Sequence, residues 1–220
     1  MQIMCRIICR ELGGWKLIVQ NSCLGLVSSN CYLIGDGKEA VLIDAGARLQ
    51  DVQKLVDTSG MTLKMIFLTH CHFDHIAYAD DIREHYGVPV AIHQFDAPGL
   101  QDPMVSGGVL FRSELRIKPA DILVSDGESY PVGDLSYRMI HTPGHSKGGM
   151  CILAEDHLFC GDTLFQSSIG RTDLAGGNYD ELIGSIKEKL LTLDENIVVY
   201  PGHGPASTIG TEKKSNPFLR

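Results

Sequence analysis

The chain has 220 residues, 44% hydrophobic and 21% charged, enough to bury a substantial core. Its formal charge of −8, with no Lys/Arg run longer than two, argues against a nucleic-acid partner, because neutralising phosphates needs a basic face. Nowhere do some 18 apolar residues run together, and the N-terminal stretch lacks a basic segment leading into a long apolar core and a cleavage site, so neither a membrane span nor a secretory leader is expected. Seven cysteines (Cys5, Cys9, Cys23, Cys31, Cys71, Cys151, Cys160) form an odd set without CxxC pairs, several in apolar surroundings. A disulfide framework is not apparent, and a reducing cytoplasm is the simplest compartment.

Short β-like runs come first: "KLIVQ", "SNCYLIG" and "AVLIDAG", punctuated by Gly, Asn and Asp as in consecutive hairpins. "RLQDVQKLVDTSG" then spaces Leu49, Val52, Leu55 and Val56 as one helical face and stops at Gly60. "KMIFLTH" reads as a buried strand, "AYADDIREHYG" as a helix ending at Gly87, and "VPVAIH" as the next strand. Residues 94–120, beginning "QFDAPGLQDPMVSGG", suggest a loop or broken helix laid over one face. The second half predicts strands "DILVS", "LSYRMIH", "MCILAE" and "HLFCGD", the helix "YDELIGSIKEKLLTL", and the strand "NIVVYPGHG". With no linker composition or low-complexity tract, one domain over 1–220 is expected.

Histidine and aspartate collect where predicted strands end. "THCHFDH" supplies His70, His72, Asp74 and His75. "HTPGHS" supplies His145, "CGDTLF" Asp162, and "YPGHG" His203. Seven imidazole and carboxylate donors suit borderline divalent ions, zinc foremost and also iron or manganese. Two ions fit that count better than one: His70, His72 and His145 around the first, Asp74, His75 and His203 around the second, and Asp162 bridging with its two oxygens. Each ion keeps a position for a shared water, as catalytic sites do. Cys71, pointing away from His70 and His72 in an extended segment, is read as packing. His85, His93, His141 and His157 have no ligand context and are read as structural or surface residues.

The order HxHxDH, TPGHS, GDTLF, PGHG resembles the metallo-β-lactamase superfamily over most of the chain, and "GDTLFQSSIGRTDL" resembles its glyoxalase II-like branch. That resemblance implies an α/β (α+β) fold, a four-layer αββα sandwich with a dinuclear site at one edge. It also implies a cytoplasmic metal-dependent hydrolase acting on a small-molecule thioester such as a hydroxyacylglutathione. A metal-bridging hydroxide would attack the carbonyl, Asp74 and Asp162 would hold and orient it, and the thiolate would leave without a strong general acid. True β-lactamases of the fold are secreted and commonly place Cys where this chain has Asp162, so they are set aside. So are the nuclease branches, with their basic surfaces or added domains, and the flavodiiron branch, with its flavin domain. A mononuclear-iron persulfide dioxygenase, a lactonase and a non-catalytic metal-binding domain remain as alternatives. Only a short tail follows His203, too short for the helical domain with which longer glyoxalases II hold glutathione. Arg171, Lys147 and the loop around 94–112 are candidate substrate contacts, each equally open to salt bridging or loop packing.

Overall fold

The computed structural model describes residues 7–12, 15–24 and 28–220; residues 1–6, including Cys5 and much of the N-terminal stretch read above, lie outside the described residues. Seven strands form the first sheet in chain order: β1 (Ile7–Leu12), β2 (Trp15–Leu24), β3 (Ser29–Gly35), β4 (Glu39–Ile43), β5 (Thr62–Phe67), β6 (Val90–His93) and β7 (Ile122–Val124). β1 to β4 are antiparallel. β4 to β7 run parallel, with α1 (Leu49–Ser59) crossing from β4 to β5 and α2 (Phe73–Ile76) with α3 (Ala79–Tyr86) crossing to β6. α1 stops where predicted, at Gly60, whose φ of 68° is left-handed and open to glycine without strain.

The second sheet starts with β8 (Ser129–Val132), β9 (Leu135–His141), β10 (Met150–Ala154) and β11 (His157–Gly161). A two-stranded hairpin, β12 (Leu164–Phe165) with β13 (Ser168–Ile169), and α4 (Tyr179–Ser185) then lead to β14 (Val198–Pro201), which pairs parallel to β11, and to β15 (Ser207–Thr208). α5 (Ile209–Ser215) follows. The helix expected over "YDELIGSIKEKLLTL" holds α-geometry only to Ser185, and Ile186–Leu190 winds more widely.

Strand alternation explains the layering. Successive side chains point to opposite faces, so a strand apolar at every position needs cover on both sides. In β3 and β4, Ile34, Val41 and Ile43 face inward onto Tyr137, Met139, Ile152 and Phe159 of the second sheet. Leu33 and Leu42 face outward onto Val52 and Leu55 of α1 and Ile82 of α3. The second sheet repeats the arrangement, with Cys151, Leu158 and Val199 packing outward against Leu182 and Ile186. Three apolar layers between four layers of secondary structure make the αββα sandwich. Cys31, Cys71, Cys151 and Cys160 are free and buried, as expected of thiols acting as small hydrophobes. No described helix is long and apolar enough to cross a membrane.

Candidate metal centre

Five strands deliver the polar side chains to one edge of the sandwich. β4 ends at Asp44, and β5 runs into Thr69, His70 and His72. β9 precedes His145, β11 precedes Asp162, and β14 precedes His203. The sheets are tied together at this edge. Asn30 N donates to Gly202 O at 2.7 Å, Asn30 Nδ2 to Pro201 O and Gly204 O at 3.0 Å each, and the Tyr32 hydroxyl to Pro201 O at 2.7 Å. Met150 N donates to Thr69 O at 2.9 Å. Gly202 must be glycine here, because a Cβ would lie 2.1 Å from Asp162 Oδ1 and 2.7 Å from His75 Cε1.

All seven predicted donors converge. His70, His72 and His145 form one trio, and Asp74, His75 and His203 another; in each, ligand atoms lie within 4.8 Å of one another. Asp162 stands between them. Its Oδ1 is 3.4 Å from His75 Nε2, and its Oδ2 is 3.5 Å from both His145 Nε2 and His203 Nε2. Asp74 Oδ2 is 3.2 Å from His203 Nε2 and 3.4 Å from His75 Nε2. A third trio, His70, His75 and Asp162, cuts across these two, so the seven donors form one continuous cluster. One local element differs from expectation: beyond the extended His72, Phe73–Ile76 coils into the short α2, which carries Asp74 and His75.

Hydrogen bonds behind the cluster set its protons. Asp44, buried and with φ 61°, accepts from Thr69 N (2.7 Å), Thr69 Oγ1 (2.9 Å) and His75 Nδ1 (2.8 Å). With its hydroxyl proton given to Asp44, Thr69 Oγ1 can only accept from His70 Nδ1, at 3.0 Å. His145 Nδ1 donates to Arg171 O at 2.7 Å. In neutral rings these bonds leave lone pairs on Nε2 of His70, His75 and His145. His145 Nε2 lies 2.8 Å from His72 Nδ1, while the buried His70 Nε2 has no hydrogen-bond partner.

Charge completes the picture. Burial, with His75 and His72 alongside, holds His70 well below its ordinary pKa, and burial with His145 adjacent pushes His72 down to about 3. Burial also disfavours charge on His75, but Asp74, Asp162 and Asp44 outweigh it and hold that ring well above the usual range. The Asp162 carboxyl is lowered despite its burial, by His75, His145 and His203. His70 Nε2, His72 Nε2 and Asp162 Oδ1 are buried atoms without a hydrogen-bond partner, grouped with the other donors. Divalent cations would satisfy these buried atoms, so the residues fit metal ions.

The remaining predicted residues fall as follows. Arg171 lines the cavity over the cluster, and its guanidinium is bidentate on Asp173 at 2.7 Å to each oxygen. Lys147 lies in neighbouring clefts with Phe95 and Gly176, outside the lining of that cavity. Cys71 is buried, its sulfur where a Cβ on Gly99 would fall. His157 pairs with Asp156 at 2.7 Å and stacks on Tyr200, His93 stacks on His141, and His85 meets Gln53. Two structural acids escaped the sequence reading. One is Asp44, whose only signal was an acid closing the apolar run "AVLI". The other is Asp96, which accepts from Cys71 N (3.0 Å), Ser146 Oγ (2.7 Å) and Gly148 N (2.5 Å) and so joins the two ligand loops.

Comparison with known proteins agrees with this geometry. A family model described as the metallo-beta-lactamase superfamily matches residues 24–203. The probable metallo-hydrolase YqgX of Bacillus subtilis is 38% identical over 199 residues, covering 89% of this chain and 94% of its own. The hydroxyacylglutathione hydrolase GloC of Haemophilus influenzae is 34% identical over 199 residues, covering 86% and 92%. Among solved structures, the BLEG-1 B3 metallo-beta-lactamase superposes with a TM-score of 0.87 at 40% identity, covering 91% of this chain and 99% of that one. TTHA1623 in a di-iron-bound form gives 0.79 at 33% identity, covering 90% and 99%.

Proposed function

Since the chain belongs to the metallo-β-lactamase superfamily and is a metal-dependent hydrolase, we propose that its substrate is a small-molecule thioester, of the hydroxyacylglutathione type, cleaved at a dinuclear zinc centre. The observation that carries this reading is the placement of Asp162 between two trios of donors, one oxygen toward His75 and the other toward His145 and His203. His70, His72 and His145 would hold one ion, Asp74, His75 and His203 the other, with Asp162 shared. Bound there, divalent ions supply Lewis acidity and lower the pKa of water toward ~7.

The chain's own residues do the rest. Asp74 is held ionised: burial opposes the charge, but His75 and His203 outweigh it. Its Oδ2 faces His75 and His203, and the side chain lines the cavity over the cluster, where it would hold the ion and orient an attacking water. A thiolate leaves with a pKa near ~8.5, so no acid beyond solvent is required. Cys71, the nearest thiol in sequence, is buried with its pKa raised by burial and by Asp96, and it is no nucleophile.

The test uses metal-loaded protein with S-D-lactoylglutathione and related 2-hydroxyacyl thioesters. One thiol and one acid should appear per turnover, without oxygen uptake. Iron-loaded protein with glutathione persulfide tests the dioxygenase alternative, and TTHA1623 in its di-iron-bound form is the reason to load iron as well as zinc. A β-lactam belongs in the same panel: similarity to BLEG-1 at 40% identity reopens the class that the absent Cys ligand had set aside. Oxygen uptake with persulfide, or lactam opening with no thiol release from any thioester, would overturn the assignment.

A further inference from the structure

Resting on the thioester reading, the geometry points to a substrate that carries an apolar arm beside its reacting carbonyl, bound by a hydrophobic wall rather than through charged groups of its carrier. The cavity over the donor cluster measures about 430 Å³, within the size range of small-molecule sites. Its floor is polar, formed by the histidines and aspartates. Its walls are Phe73, Leu110, Phe111, Phe165, Ile169 and Leu174. The rings of Phe73 and Phe111 lie 4.6 Å apart, so the start of α2 and the segment around 110 form one continuous apolar surface. Leu110 and Phe111 remain 66% and 50% exposed at the mouth.

Cationic recognition is poorly provided for. A carrier such as glutathione presents two carboxylates, and their capture calls for cations or convergent N–H donors. Among the residues lining the cavity, Arg171 is the one Lys or Arg, and its Nε and Nη2 already hold Asp173. Lys147 opens onto other clefts. The chain as a whole is −8, so its net charge offers an anionic carrier no long-range attraction. What this cavity can gain from a ligand, beyond contacts at the metal floor, is removal of apolar surface from water.

Binding of straight-chain carboxylates from acetate to octanoate to zinc-loaded protein, followed by calorimetry, reads this preference without turnover. Affinity should rise two- to fourfold per methylene until the cavity is filled, the upper figure being full burial of each CH₂. The double variant Leu110→Ser/Phe111→Ser, at exposed positions that leave the core intact, should flatten the slope, whereas Arg171→Ala should keep it. Turnover of two thioester series, one lengthened on the acyl side and one on the thiol side, then shows which side of the scissile bond occupies the wall. If octanoate binds no tighter than acetate, or the double variant keeps the full slope, the inference fails, while hydrolysis of S-D-lactoylglutathione would still uphold the thioester reading. A steep slope with no thioester turned over would do the reverse, sinking the thioester reading and leaving the apolar preference standing.

Discussion

Replacing Asp44 by Asn tests whether the protons behind the cluster govern it. Asn adopts left-handed backbone about as readily as Asp, so the φ of 61° at this position survives the change. Shape is conserved, but an amide has one acceptor oxygen where the carboxylate has two. If that oxygen faces Thr69 N, the NH₂ confronts both Thr69 Oγ1 and His75 Nδ1; if it turns, the NH₂ confronts Thr69 N. Bonds to a charged group contribute about 1.5–3 kcal/mol each, so losing one or two costs the metal-free protein about 1.5–6 kcal/mol. The first arrangement also favours the His75 tautomer that keeps its proton on Nε2, the atom that faces Asp74, Asp162 and His203, over the one that gives this proton up to a cation. A ring protonated there cannot hold a cation, and disturbing such orienting partners typically lowers metal affinity 10- to 100-fold. Metal content after dialysis at buffered free zinc should therefore fall in Asp44→Asn, from two ions toward one, and thermal unfolding of the metal-free form should shift down. Two ions held at wild-type affinity would refute the argument, whatever happened to stability.

Asp162→Ala should strip both ions and abolish turnover, while Cys71→Ser should retain both; elemental analysis showing an empty site in Cys71→Ser would mean the donor set is misassigned. Native protein treated with iodoacetamide at pH 8 should leave Cys31, Cys71, Cys151 and Cys160 unmodified by peptide mass spectrometry, since burial raises all four and puts Cys151 at about 11. Alkylation of any of them before unfolding would contradict the packing described. His93, pushed down to about 4 by burial and the stacked His141, binds its proton less readily folded than unfolded. Its contribution to stability is therefore present above the unfolded value near 6.5 and is lost as pH falls from there through 4, by at most about 3 kcal/mol. Denaturation of His93→Gln across that window should show a shallower pH slope than the parent, and an unchanged slope would remove the assignment.

The donor set was legible because its members share one chemistry and each stands beside glycine or at the end of an apolar run: His145, Asp162 and His203 could be found independently and then counted together. Long segments declared themselves, α1 by its helical period and the strands around Leu33 and Phe159 as unbroken apolar runs. What escaped has no period to read. α2 is a single turn, and β12 and β13 are two residues each. β8 carries Pro131, which a sheet tolerates because β8 lies at its edge, a position that only the assembled sheet reveals. Asp44 and Asp96 are single acids among 27 acidic residues. Their partners lie 25 to 52 residues away in the chain, so their role exists only once the loops have met.

The distances along the chain within the donor trios bear on how long the molecule persists in a cell. His72 and His145 are 73 residues apart, and His75 and His203 are 128. An unfolded chain keeps only the local donors of "THCHFDH" together and cannot add His145, Asp162 or His203 without the cost of closing those loops, so it binds metal more weakly. Ions then favour the folded form, and mass action turns that preference into resistance to unfolding, at most about 4 kcal/mol for one ion present at a thousand times its dissociation constant. Metal starvation would therefore silence the site and also enlarge the unfolded fraction open to proteases, at most by roughly three orders of magnitude per ion lost. Abundance and activity would fall together, so the protein's level would track metal supply without any dedicated sensor.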